Sequence, residues 1–244
     1  AYVRLRRTGA RQIVDLPVET YGIRSATADW RAVELKMLPE ETQFWVQYDG
    51  ELMGEVHLQV PGRHNVLNAL AALAVVHHQG VAFGEAAAAL ASYHGTGRRF
   101  ELRADHAGIA IVDDYAHHPT AIRLTIEAAL TRYPERDLWV VWQPHTYHRT
   151  QALYFDLLHA FDAAPHLIMT EIYVARETPI PGLSAAELAK AMPHPDVTHA
   201  PDFAAAVRTL LERVNPPAVV LILSAGDAPQ IGIDLLAALQ ARPA

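Results

Sequence analysis

Cysteine is absent from all 244 residues. That excludes disulfides, thiolate nucleophiles and cysteine metal sites, and it fits a reducing compartment. Lysine is nearly absent as well. Lys36 follows Leu35 and Lys190 follows Ala189, so no Gly-Lys-Ser/Thr phosphate loop is present. Also missing are a G-x-G-x-x-G turn after a strand, an H-E-x-x-H helix and a G-x-S-x-G elbow, which removes the common single-motif enzyme classes. Twenty Lys and Arg stand against 27 Asp and Glu, a net charge of -7. With no basic stripe the chain carries no nucleic-acid footprint, because displacing counterions from phosphates needs clustered cations. No apolar run reaches the roughly 18 residues of a membrane span, and no signal-peptide core opens the chain. A cytoplasmic location is the expectation.

What is present is a globular composition, 51% hydrophobic and 19% charged, enough for one large core or two smaller ones. The chain opens at Ala1 in mid-pattern, and we expect a piece of a longer protein, with a processed or trimmed complete chain as the alternative. Residues 16–60 hold short alternating runs, including QFWVQYD and LMGEVHLQV about a Tyr48-Asp49-Gly50 turn, which predict antiparallel strands and a hairpin. After Pro61-Gly62, helical spacing of Ala and Leu predicts helices from His64 to about His78 and from Phe83 to Ser92. The HGTGRR stretch that follows reads as a linker between two domains, 1–94 and 95–244. Beyond it, apolar strands at 109–112, 138–142, 167–169 and 218–223 alternate with helices beginning near Ala121, Gln151, Ser184 and Asp202. The expected fold class is α/β, a mostly parallel sheet with helices on both faces, preceded by antiparallel strands and two helices.

Each of those four strands ends in polar residues: Asp113-Asp114, Gln143-Pro144-His145, Thr170-Glu171 and Ser224-Ala225-Gly226-Asp227. Parallel strands share one direction, so the tips gather on one rim, where ligands bind in open α/β sheets. For a single tip, a helix cap or turn is the plainer reading. His117, His118, His145 and His148 with Asp113 and Asp114 could in principle cage a cation, but adjacent histidines in an extended loop point apart. The pair His77-His78 reads as a solvated helix C-terminus.

PGRHNVLNALAA (61–72), GTGRRFE (95–101), DDYAHHPTAI (113–122) and QPHTYHRT (143–150), in this order, resemble the successive signatures of the Mur ligases, and VETYG, EIYVARE and SAGD fit beside them. The resemblance covers nearly the whole chain and is nearest to the branch that joins L-alanine to UDP-N-acetylmuramate. It implies a central ATP-binding domain, here partial, followed by a Rossmann-like C-terminal domain, with the phosphate loop and most Mg²⁺ ligands upstream of Ala1. It further implies that His64, Asn65 and Asn68 lie beside the adenine and that Arg99 reaches the ATP phosphates while Arg98 is structural. On the same ground Asp114 holds the ribose, Tyr115 flanks the nucleotide, and His117 and Arg149 act on the incoming amino acid with His145 nearby. None of these residues is expected to be a metal ligand. Closure about a hinge at 94–99 is expected to assemble the site. The cofactors implied are ATP and Mg²⁺, and the reaction passes through an acyl phosphate in peptidoglycan precursor synthesis. The 244 residues are expected to fold at least over 97–244 and not to turn over alone. Thr146 stands where some members have arginine, and Ser224 where glycine is usual. A murein tripeptide ligase of the same family, a metal-dependent phosphoesterase and a non-catalytic nucleotide-binding module are the other readings.

Overall fold

In a computed structural model of the chain, residues 18–241 are described; the opening stretch over 1–17 lies outside the described residues. The chain divides into two compact units, residues 1–94 and 95–244.

In the first unit, β1 (Tyr21–Gly22) pairs in parallel with β2 (Trp30–Met37). β2, β3 (Thr42–Tyr48) and β4 (Glu51–Leu58) then form an antiparallel meander. Alternation builds it: Thr42, Phe44 and Val46 are buried while Gln43, Trp45 and Gln47 face outward. The β3–β4 hairpin turns on two residues, Asp49 at φ 49° and Gly50 at φ 83°, the left-handed pair that a twist-matched two-residue turn requires. Helices α1 (Arg63–His77) and α2 (Phe83–Ala91) close one core with Trp30, Phe44, Val56, Leu70 and Leu73. His77 corrects the solvated reading: its ring meets Trp30 and Tyr48 edge-on at 5.4 and 5.0 Å. His78 pairs with Glu19 through Nε2 at 2.9 Å.

The second unit runs β5 (Glu101–His106), β6 (Ile109–Asp114), α3 (Pro119–Arg132), β7 (Asp137–Trp142), α4 (Tyr147–Ala152), α5 (Tyr154–Leu158), β8 (His166–Thr170), α6 (Ala185–Ala191), β9 (Val197–Ala200), α7 (Phe203–Arg213), β10 (Ala218–Leu223) and α8 (Pro229–Gln240). The sheet order is β5-β6-β10-β7-β8-β9, parallel except for β5. Every residue of β6 and β10 is buried, as central strands covered on both faces must be. Alternate side chains feed two cores. Val112, Val140, Trp142 and Leu221 meet Ile122 and Ile126 of α3 and Leu188 of α6. Ile111, Val141, Val220 and Ile222 meet Leu210 of α7 and Ile231 and Leu235 of α8.

Several boundaries differ from the sequence expectation. α3 starts at Pro119, with His118 as its N-cap accepting from the Thr120 N–H through Nδ1 at 3.3 Å; proline suits the first helical position, where no N–H is needed. α4 starts at Tyr147, four residues before Gln151, and the chain breaks at Leu153 into α5. Ser184 and Asp202 do cap α6 and α7, accepting from Glu187 and Ala205 N–H at 3.1 and 2.6 Å.

Asp113 is buried on the α8 face, 3% exposed, with Oδ1 lacking a hydrogen-bond partner and Arg103 Nε 3.6 Å from Oδ2. Burial outweighs that cation and pushes the carboxyl up to about 6. The folded chain therefore keeps this proton to about pH 6, whereas an unfolded chain releases it near pH 4, so Asp113 makes folding less stable as pH rises through that window. In urea titrations the stability of Asp113→Asn relative to wild type should rise by about 2 kcal/mol from pH 4 to pH 7. A pH-independent difference would show that Asp113 ionises freely.

Candidate active site

The rim starts from strand register. Asp114, Leu223 and Trp142 end β6, β10 and β7 on one row. The next residues stay stitched: Ser224 N–H donates to Asp114 O at 3.0 Å, and Gln143 N–H to Leu223 O at 3.1 Å. Tyr115, Ser224 and Gln143 therefore leave the sheet side by side.

The Asp114 carboxylate, 7% exposed, accepts from the N–H of Phe100 at 2.8 Å and of Ala116 at 2.7 Å. It fixes both the segment leading into β5 and the loop after β6. Arg98, at φ 58°, donates through Nη2 to Ser224 O at 2.7 Å and Gly226 O at 3.0 Å, latching the same segment onto the loop after β10. That loop is built around Gln143. Its Oε1 accepts from Ser224 Oγ at 2.7 Å and Ala228 N–H at 3.2 Å, and its Nε2 donates to Asp227 at 2.7 Å. Ser224 Oγ also accepts from Gly226 N–H at 2.8 Å. Gly226 has no space for a side chain: a Cβ would lie 2.5 Å from Gln143 Oε1 and 2.7 Å from the Tyr173 ring.

Along this rim the charged and aromatic groups touch in sequence. The guanidiniums of Arg98 and Arg99 lie 5.1 and 5.4 Å from the Tyr115 ring centre, within cation–π range. Tyr115 meets His117 edge-on at 5.4 Å, His117 lies 5.9 Å from His145, and His145 stacks on Tyr173 at 5.4 Å. Arg149, on α4, donates through Nη1 to His145 Nδ1 at 2.9 Å. Between them Thr146 holds φ 64°, a conformation that costs a β-branched residue about 1–3 kcal/mol and that clusters at functional sites.

The bonds fix both imidazoles. His145 Nδ1 accepts, so its proton sits on Nε2. His117 Nδ1 faces the Tyr115 carbonyl at 2.9 Å and must donate, which leaves Nε2 a bare lone pair. Burial first, and then the Arg149 charge, hold His145 below the ordinary histidine range. Burial, followed by Arg149, His118 and Arg99, lowers His117 against the opposing pull of the Tyr115 carbonyl. Both rings are neutral at pH 7. His118 turns away to cap α3, and His148 pairs with Glu177. Among the described residues no three His, Asp or Glu side chains are grouped to hold a metal ion.

His64, Asn65 and Asn68 lie in the first unit, at the start of α1. Gly62 is the N-cap there and no side chain caps the helix. Asn65 Nδ2 instead donates to Pro61 O at 2.7 Å, and its Oδ1 accepts from Asn68 Nδ2 at 3.2 Å. The two amides flank a cleft of about 310 Å³ walled by Leu58, Val60, Ala72 and Leu90, with Tyr93 at its side. Apolar walls with an amide edge suit a flat heterocycle.

The Mur ligase middle-domain model matches residues 4–76 and the Mur ligase glutamate ligase domain model matches residues 98–226. The chain belongs to the Mur ligase family. It is 42% identical over 226 residues to a UDP-N-acetylmuramate--L-alanine ligase of Syntrophotalea carbinolica, covering 91% of this chain and 49% of that one. The Geobacter sulfurreducens ligase of the same name is 42% identical over 224 residues, covering 91% and 48%. The chain thus spans about half the length of the curated relatives it matches. Among solved structures, the Thermotoga maritima UDP-N-acetylmuramate-alanine ligase superposes with a TM-score of 0.76 at 22% identity, covering 91% of this chain and 47% of that one. A Thermotoga maritima MurF ligase in complex with ADP gives 0.69 at 21%, covering 91% and 49%. These two likenesses are of fold.

Within this Mur ligase fold, Gln143 and Tyr173 organise the rim, although sequence reasoning gave them no role beyond a strand tip and a supporting motif. The paired tips QPH and EIY were the available signal, since His145 bridges Tyr173 in parallel. Replacing Arg149 by alanine removes a donor and a charge from His145. The His145 ring signals, followed by NMR, should then titrate at higher pH than in wild type; an unchanged titration would contradict the pair.

Proposed function

We propose that these residues form the C-terminal half of an ATP-dependent ligase that joins L-alanine to UDP-N-acetylmuramate, in the cytoplasm, in peptidoglycan precursor synthesis. The observation that carries this reading is the unbroken line of contacts from Arg99 through Tyr115, His117 and His145 to Arg149. It presents a phosphate-binding cation at one end and a carboxylate-binding cation at the other, with two neutral imidazoles between.

In this scheme Arg149 holds the carboxylate of L-alanine, since a guanidinium fork matches a planar carboxylate. That grip presents the amine to the acyl phosphate made when the γ-phosphoryl of ATP passes to the muramyl carboxylate. Nitrogen attacks the acyl carbon, a tetrahedral intermediate forms, and its collapse breaks the carbon–oxygen bond to phosphate. The amine must shed a proton, and the His117 Nε2 lone pair is placed to take it. Neutrality matters here, because a protonated ring could not act as base. Arg99 steadies the phosphates, Asp114 takes the ribose hydroxyls, and Tyr115 flanks the nucleotide. Asn65 and Asn68, with His64 beside them, offer the amide edge to adenine. Mg²⁺ accompanies ATP in this chemistry by neutralising phosphate charge; the described residues offer no group of three His, Asp or Glu side chains to hold it.

No helix among the described residues is long and apolar enough to cross a membrane. The relatives at 42% identity carry the alanine-adding name, and this favours the alanine reading over the tripeptide one. In the ligase that contains these residues, Arg149→Ala should raise KM for L-alanine about 10- to 100-fold, the loss of one charge-assisted contact of about 1.5–3 kcal/mol. KM for ATP should stay within about twofold. An unchanged KM for L-alanine would overturn the assignment.

A further inference from the structure

The EIYVARE motif, which forms the loop after β8, carries an acid that the proposed reaction leaves unused, Glu177. The loop is stitched to the strand tip beside it. Tyr173 N–H donates to Pro144 O at 2.8 Å, and Thr146 N–H donates to Tyr173 O at 3.1 Å. It then turns back, with Ala175 at φ 53° and the Glu177 N–H on Val174 O at 3.0 Å. That turn brings the Glu177 carboxylate to the start of α4, where Oε2 accepts from the His148 N–H at 3.0 Å.

α4 needs an acceptor there. It is six residues long, and its N-cap Thr146 makes no side-chain capping bond; so short a helix does not sustain itself by its own ladder. An N-cap side chain ordinarily accepts from the second or third helical N–H. His148 is the second residue of α4, so Glu177 fills that place from another loop, with its charge at the favourable end of the helix dipole. The His148 N–H first, then the Thr146 hydroxyl and the His148 ring, outweigh burial and hold Glu177 below the ordinary carboxylate range. The ring itself is 72% exposed, and an ion pair in water contributes little. Arg149 directly follows His148, and its guanidinium reaches back across Thr146 to His145. Both ends of that bond leave the turn that Glu177 ties down.

We infer that Glu177 is a positioning residue for the amino-acid end of the rim: from the loop after β8 it supplies the cap that α4 lacks, and so keeps Arg149 on His145. That an amino acid is what Arg149 meets rests on the ligase reading; the hold on Arg149 does not. The charged and titratable groups acting on His145 are Arg149, His117 and Glu177, and the arginine lowers its proton affinity more than the carboxylate raises it. A purely electrostatic Glu177 and a positioning one therefore have opposite signatures. Removing the charge alone makes His145 titrate lower, whereas releasing Arg149 makes it titrate higher.

The Glu177 side chain lies on a loop and is 25% exposed, so its replacement leaves both cores of the second unit intact. In NMR titrations of the full 244-residue chain, the His145 ring signals should titrate at higher pH in Glu177→Ala than in wild type. Glu177→Gln, which keeps an oxygen for the His148 N–H, should not raise that titration, and His148→Ala, which keeps the N–H, should match wild type. In the ligase that contains these residues, Glu177→Ala should raise KM for L-alanine about fivefold, the loss of one helix cap, with KM for ATP within about twofold. Glu177→Gln should restore the wild-type KM. The inference fails if His145 titrates lower or unchanged in Glu177→Ala, if Glu177→Gln or His148→Ala raises it as much, or if Arg149→Ala raises KM for L-alanine and Glu177→Ala does not. The ligase reading fails separately, by an unchanged KM for L-alanine in Arg149→Ala, and the His145 signals then still decide the role of Glu177.

Discussion

Three parallel strands that stop on the same row determine everything at the rim. Because β6, β10 and β7 pair in register, the chain leaves each at the same height, and residues more than a hundred positions apart become neighbours. Tyr115 and Ser224 meet this way, stitched by the bond from Ser224 N–H to Asp114 O. Antiparallel pairing would have sent one of these tips to the opposite edge. The segment before β5 is then tied down twice, by Asp114 to Phe100 and by Arg98 to the loop after β10. Those ties bring the cations of residues 98 and 99 against Tyr115.

Arg149 is the electrostatic centre of the site. It binds His145 directly and adds its charge to burial in keeping His117 and His145 unprotonated. One side chain thus both offers a cation at the rim and helps to keep the two imidazoles beside it neutral. The backbone contributes as well. The Tyr115 carbonyl fixes the His117 tautomer, and Thr146, at a positive φ, is the N-cap through which the chain turns from His145 into α4 and Arg149.

Much of this was legible in the residues. The buried strands were visible as unbroken apolar runs such as Ala218 to Leu223, and their polar ends identified the rim before any geometry was known. Ser184 and Asp202 were legible as helix starts because capping is local chemistry. β5 was not, since Glu101 to His106 shows no apolar period; it is an edge strand, held by its pairing with β6. α8 was hidden behind the SAGD loop, and β9 is only four residues long. The start of α4 was misplaced because Thr146 begins the turn with a conformation its residue type disfavours. His77 could not be read as packed, because its partners Trp30 and Tyr48 come from strands far off in the chain. The Gln143 network was illegible for the same reason, and Ser224 is one of its anchors.

The central claim is that the ends of the parallel strands form one amino-acid site. A crystal structure of the ligase containing these residues, with L-alanine and a non-hydrolysable ATP analogue bound, tests it most directly. The account predicts the alanine carboxylate within hydrogen-bonding distance of Arg149 and its nitrogen facing His117 Nε2. Alanine held elsewhere, with Arg149 and His117 facing different ligands, would contradict it.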